Sequence, residues 1–175
     1  MIGSDFFSKL DDLDIPESNR KLRSLSSIFG VNIATLSKYK NEPNTKLQRF
    51  TARQLAFFGK MDQNLRTYIM NKRINESDLC VQHALKADDV LALRNKLIGY
   101  GMSQNGFFNL FGISSSSYQH IEKTKVVRLG LAYTFELIKA FDLTELFDLM
   151  LKYEVSERAI ERLNKNFKAV TSNEN

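Results

Sequence analysis

Two stretches of this 175-residue chain repeat each other in register. Leu25-Ser26-Ser27-Ile28-Phe29-Gly30-Val31 matches Phe107-Phe108-Asn109-Leu110-Phe111-Gly112-Ile113. The register that superposes the two glycines also pairs Leu36 with Tyr118, Tyr39 with Ile121, Leu47 with Leu129, Leu55 with Leu137, Met61 with Leu143 and Leu65 with Phe147. Helical periodicity alone does not hold one register over roughly forty residues, so the chain reads as two copies of one unit.

Each copy reads as helical. Apolar residues recur at helical spacing and strict alternation is scarce. Only 8 Gly and 2 Pro leave little material for hairpins. The spacing predicts helices over 5–13, from Ser18 or Asn19 to 29, and over 32–41, 45–58 and 62–72. After a connector they resume, capped by Asp88 or Asp89 and running to 98, then from the cap Ser103 to Gly112, and over 115–123, 129–140 and 143–152. A last amphipathic helix is expected over 156–170, carrying Ala159, Ile160, Leu163 and Phe167. The expected organisation is a first domain over 1–73, a connector over 74–87 with a short helix at 77–85, a second domain over 88–152, a C-terminal helix over 153–170 and a polar tail over 171–175.

Charge is distributed unevenly. The net charge is +5, yet between Asn19 and Arg73 there are twelve basic residues and two acidic ones. Between Asp88 and Tyr153 there are seven of each sign. A basic first half and a neutral second half point to a polyanion partner for the first copy.

The repeated glycine has a geometric reading. Two short helices that cross steeply need a tight turn, and a residue that accepts left-handed backbone favours glycine there. Gly30 and Gly112 hold that place. Val31 and Ile113 follow as apolar plugs. Leu36 and Tyr39 in copy one, and Tyr118 and Ile121 in copy two, fall on the inward face of the next helix. Phe29 and Leu25, and Phe111 and Phe107, fall on the inward face of the helix before. This arrangement resembles a helix-turn-helix.

Copy two is similar in particular to the lambda-repressor-like (Cro-type) domains. The resemblance rests on Arg94, Gly101-Met102-Ser103-Gln104, Gly112-Ile113-Ser114 and Ile121-Glu122-Lys123. It continues through Leu129, Leu137-Ile138-Lys139-Ala140-Phe141, Leu143 and Leu146-Phe147. It covers about 88–151, and more weakly 5–70. Where the two helices touch, four residues before the glycine, copy one has the small Ser26 and copy two the bulky Phe108. Either the crossing angle changes, or Phe108 points into a space that another element fills. Copy two also has Thr124 where the family often has glycine. The resemblance implies an all-α fold of two tandem five-helix helix-turn-helix domains plus a C-terminal amphipathic helix. It also implies a sequence-specific regulator of the repressor type, from a bacterium, phage or plasmid, that binds double-stranded DNA in the major groove.

In such a domain the second helix of the pair meets base edges with its N-terminal residues. In copy one the outward residues are Asn32, Ala34, Thr35, Ser37, Lys38 and Asn41. Asn32 is expected to make paired hydrogen bonds to adenine, and Ala34 and Thr35 to meet a thymine methyl. Lys38, Lys40, Arg20, Arg23, Lys46, Arg49 and Arg53 are expected at phosphates, giving affinity with little sequence information. In copy two the outward residues are Ser114, Ser115, Ser116, Ser117, Gln119, His120 and Lys123. Gln104 is expected either to contact phosphate or to brace the recognition helix.

No catalytic constellation is readable from the spacing, so no enzyme and no cofactor are expected. Cys80 and His83 lie three residues apart, too few ligands for a closed zinc site, and no metal is expected. The single cysteine and the lack of a signal-like N-terminus or a long apolar run fit a cytoplasmic protein at the nucleoid, away from membranes. Three readings follow. Both copies bind DNA, as two half-site readers in one chain. Alternatively copy one binds DNA while copy two is a dimerisation or protein-interaction module, a reading the charge asymmetry and Phe108 favour. Or the scaffold is a protein-only adaptor or inhibitor. A homodimer through the C-terminal helix or the second domain is a further expectation.

Overall fold

The computed structural model describes residues 1–75 and 86–172, the last two by backbone alone. Among these residues the protein is all-helical and has no strand. The helices are α1 (Gly3–Asp12), α2 (Leu22–Phe29), α3 (Ile33–Asn41), α4 (Arg49–Phe58), α5 (Gln63–Asn75), α6 (Ala87–Gly99), α7 (Gln104–Phe111), α8 (Ser115–Thr124), α9 (Leu129–Leu137), α10 (Leu143–Tyr153) and α11 (Glu157–Ser172), with 3-10 turns at Glu17–Arg20 and Ile138–Ala140. The chain forms two compact units. One comprises Met1–Ala84 and Arg128–Leu137, the other Leu85–Val127 and Ile138–Asn175. The helix α9, which the sequence places within 88–152, thus belongs with the first unit.

The first unit is organised around aromatic rings that the repeat register marks as inward. Phe6 meets Phe29 edge-on at 5.2 Å, and Phe29 meets Phe58 edge-on at 5.8 Å. Leu25, Leu36 and Tyr39 are buried with them. The first residues of the chain pair with the segment before α4. Gly3 N donates to Thr45 O, Ser4 N to Pro43 O, and Leu47 N to Met1 O. These bonds hold the chain extended and delay α4 to Arg49, four residues beyond the start that spacing predicts. The helix expected from Ser18 or Asn19 is likewise split. A 3-10 turn ends at Arg20, and Lys21 is extended before α2 begins.

The helix α9 is apolar on nearly every side, and Leu131, Ala132, Tyr133, Phe135 and Leu137 are all buried. A helix of this kind needs cover all round. It packs on α4, its own counterpart in the repeat register. Polar groups fix the junction. Gln54 Nε2 donates to Phe29 O at 3.0 Å and to Gly130 O at 2.8 Å. Arg73 Nη1 donates to Ile28 O at 2.8 Å and Nη2 to Tyr133 O at 3.2 Å. The guanidinium also lies 4.0 Å from the Tyr133 ring centroid and 3.9 Å from Glu136. The last carbonyls of α2 have no partner within their own helix, and these side chains supply it. A cation at that helix C-terminus is favoured by the helix dipole.

In the second unit, Phe107 packs on Phe111 at 4.9 Å and on Tyr118 at 5.9 Å. Ser103 caps α7, as expected, with its Oγ accepting from Gly106 N at 3.0 Å. The α6 cap differs from expectation. Lys86 is the N-cap residue, and Asp89 reaches back to accept from Lys86 N at 2.9 Å. The buried Glu154 carboxylate, at the α10–α11 junction, accepts from Ser103 N at 2.7 Å, Ser103 Oγ at 2.6 Å, Val155 N at 2.9 Å and Ser156 N at 3.0 Å. Burial alone would raise the Glu154 pKa, but these donors outweigh it and hold the carboxyl below its usual range. Ala159 and Leu163 of α11 are fully buried, and Phe167 packs on Phe147 at 5.1 Å. Of the apolar stripe expected on this helix, Ala159 and Leu163 are thus covered within the chain, while Ile160 and Phe167 are half-buried. The short helix expected at 77–85 lies outside the described residues, as do Cys80 and His83.

Candidate nucleic-acid interface

The two glycine turns have one geometry. Gly30 and Gly112 are both left-handed, at φ 61° and 66°. Val31 and Ile113 plug the corners and are buried. Asn32 and Ser114 then cap α3 and α8, accepting from Thr35 N at 2.7 Å and from Ser117 N at 3.1 Å. Leu36 and Tyr39, and Tyr118 and Ile121, face inward as their spacing predicts. Tyr39 is anchored further by Gln48 N, which donates to its hydroxyl at 3.0 Å.

The opposite face of α3 is open. Asn32, Ile33, Ala34, Lys38, Lys40 and Asn41 are exposed, and Thr35 and Ser37 are half-buried. Ile33 is absent from the outward set drawn from the sequence. It stands three residues before Leu36, a spacing that normally marks a shared inward face. In the structure it is 47% exposed.

The basic residues divide by role. Arg23, Lys40, Lys46 and Arg49 are exposed, while Arg53 is half-buried. Lys38 is exposed and lies 3.7 Å from Glu42, a weak surface pair. Arg20 is half-buried. Its guanidinium pairs with Asp11, and its Nε donates to Ile15 O at 2.7 Å, tying α1 to the following turn. Arg66 and Arg73 are buried, Arg66 donating to Phe58 O at 3.2 Å. These two belong to the core, so the exposed basic surplus of the first half is smaller than the sequence count.

In the second unit Ser114, Ser115, Ser116, Gln119, His120 and Lys123 are exposed. The Ser114 hydroxyl lies 2.9 Å from those of both Ser116 and Ser117, so three of the serines bond to one another. Phe108 is buried, with its ring 5.5 Å from Tyr118. Gln104 Oε1 accepts from Arg94 Nη2 at 3.4 Å, and the Arg94 guanidinium lies 5.5 Å from the Tyr118 ring. Burial pushes the Tyr118 pKa up to about 12, Glu122 adds to the rise and Arg94 opposes it. The left-handed residue that ends α8 is Lys125, one position after Thr124.

A half-open cleft in this unit is lined in part by Asp89, Leu93, Lys96, Ile138, Lys139 and Phe141. Among the described residues no group of three or more His, Cys, Asp or Glu side chains is placed to hold a metal ion. No described helix is long and apolar enough to cross a membrane. Comparison with protein-family models, with curated proteins and with solved structures finds no match for this chain.

Proposed function

We propose that this protein is a sequence-specific regulator of the repressor type that binds double-stranded DNA, with α3 entering the major groove. The observation that carries the reading is the open face of α3. A capped nine-residue helix follows a left-handed glycine, turns its apolar residues Leu36 and Tyr39 inward, and leaves Lys38 and Lys40 outside. Exposed Arg23, Lys46 and Arg49 lie on the neighbouring segments and supply cations for phosphates. The matching turn at Gly112 supports two tandem five-helix units of the Cro type, the second lending α9 to the first.

Copy two supports a different role. Its helix α8 presents serines bonded to one another, in a segment with no net charge. This favours a division of labour, in which α3 grips DNA and the α7–α8 pair meets a protein.

Charge reversal tests both points. The double variant K38E/K40E should abolish retention on duplex DNA at about 50 mM salt, where phosphate contacts are strongest. The double variant S115E/Q119E should leave affinity unchanged if copy two meets protein, and abolish it if copy two also reads DNA. A wild-type chain that fails to retain duplex DNA at that salt would leave only the protein-only adaptor.

A further inference from the structure

The cap on α3 engages the side chain of Asn32. Paired hydrogen bonds to adenine need a carboxamide oxygen and nitrogen turned together onto the base edge. In Asn32 that oxygen is held 2.7 Å from Thr35 N, within the protein's own backbone. Asn32 is thereby fixed as the helix cap, and the next side chain along is Ile33.

Ile33 is the first residue of α3 and is 47% exposed. The neighbouring aliphatic residues Ile28, Val31 and Leu36 are all buried. Helix formation gives no reason for isoleucine there, since β-branched residues lower helix propensity slightly. Exposed Ala34 follows it, so the tip of the helix is apolar while Lys38 and Lys40 lie further along. An apolar tip on a cationic helix suits a ligand whose charge surrounds a small apolar group. In the major groove of DNA that group is the C5-methyl of thymine.

Resting on the major-groove reading of α3, we propose that Ile33, flanked by Ala34, selects sites carrying a thymine methyl opposite the N-terminus of this helix. Discrimination at that base step comes from van der Waals contact and loss of water, and not from a hydrogen-bond pair.

The test uses the full chain and duplexes that it selects from a random library. Each thymine of a selected site is replaced in turn by uracil, which removes the methyl and keeps every hydrogen-bonding group. Uracil at one or two positions should weaken wild-type binding about fourfold per methyl, equivalent to ~0.8 kcal/mol per buried carbon. The I33A variant should bind more weakly and be indifferent to uracil at those positions, with I33V intermediate. Unchanged thermal melting of I33A, expected for an exposed side chain, excludes a folding defect. Selected sites bound equally well with uracil throughout, or a uracil penalty unaltered in I33A, would overturn the assignment and leave the DNA reading standing. A wild-type chain that retains no duplex at about 50 mM salt would overturn both, and would assign the exposed isoleucine to a protein contact.

Discussion

Arg73 joins three helices through one side chain. Its guanidinium bonds to the end of α2 at Ile28 O and to α9 at Tyr133 O, from its own place in α5. The side chain is 5% exposed, and truncation would remove both bonds and the contact with the Tyr133 ring. Arg73→Ala should therefore destabilise the protein by about 3 kcal/mol, from two lost bonds to a charged donor, read as a lower urea midpoint. Arg73→Lys should recover only part of this, because an ammonium cannot reproduce the planar fork. The inward role was legible in spacing but not in residue type. Arg66, Met70 and Arg73 form an i, i+4, i+7 stripe, which would mark an inward face if all three were apolar. Charge led to the opposite reading, and only packed backbone carbonyls make burial of two arginines tolerable.

Element boundaries depend on partners that spacing does not reveal. The inward faces of α2, α3, α7 and α8 follow from the repeat, since each apolar position has a fixed helical angle from its glycine. The late start of α4 depends on Met1–Ser4 reaching residues 43–47, and local sequence carries no sign of that pairing. The placement of α9 is also non-local. A Cβ on Gly130 would lie 2.6 Å from Phe50 Cε2 and 2.8 Å from Gly30 O. Carbonyl oxygens in a turn yield little, so Gly130→Ala should cost about 2 kcal/mol and lower the melting temperature through displacement of α9. The α7 cap gives a pH-dependent counterpart. Glu154 has its native pKa below the unfolded value, so its stabilisation is complete above the unfolded pKa and disappears as pH falls through the native one. Glu154→Gln should lower stability by about 2 kcal/mol at pH 7 and flatten the loss of stability in acid, measured by thermal melts from pH 7 to 3.

At the scale of the whole molecule the question is which charges a polyanion can reach. The sequence count treats all basic residues of the first half alike, whereas the structure withdraws Arg66 and Arg73 into the core and ties Arg20 to Asp11. If α3 lies in the major groove, Lys38→Ala should reduce the slope of log affinity against log salt by about one, while Arg20→Ala should leave it unchanged. Equal slopes for wild type and both variants would place Lys38 away from phosphate. The open face of α3 was largely legible, because Leu36 and Tyr39 fix its rotation. Ile33 and the capping of Asn32 were not, because both depend on where the helix begins. The Gly30–Gly130 contact has a lasting consequence for how this chain can change. Asparagine is the usual substitute at a left-handed turn, but a Cβ on residue 30 would sit 2.6 Å from the Gly130 nitrogen. Neither glycine can acquire even a methyl group while the other segment stays in place. Mutational drift at the first turn is thus tethered to the opening of a helix encoded far downstream, and either position must wait for the other to give way.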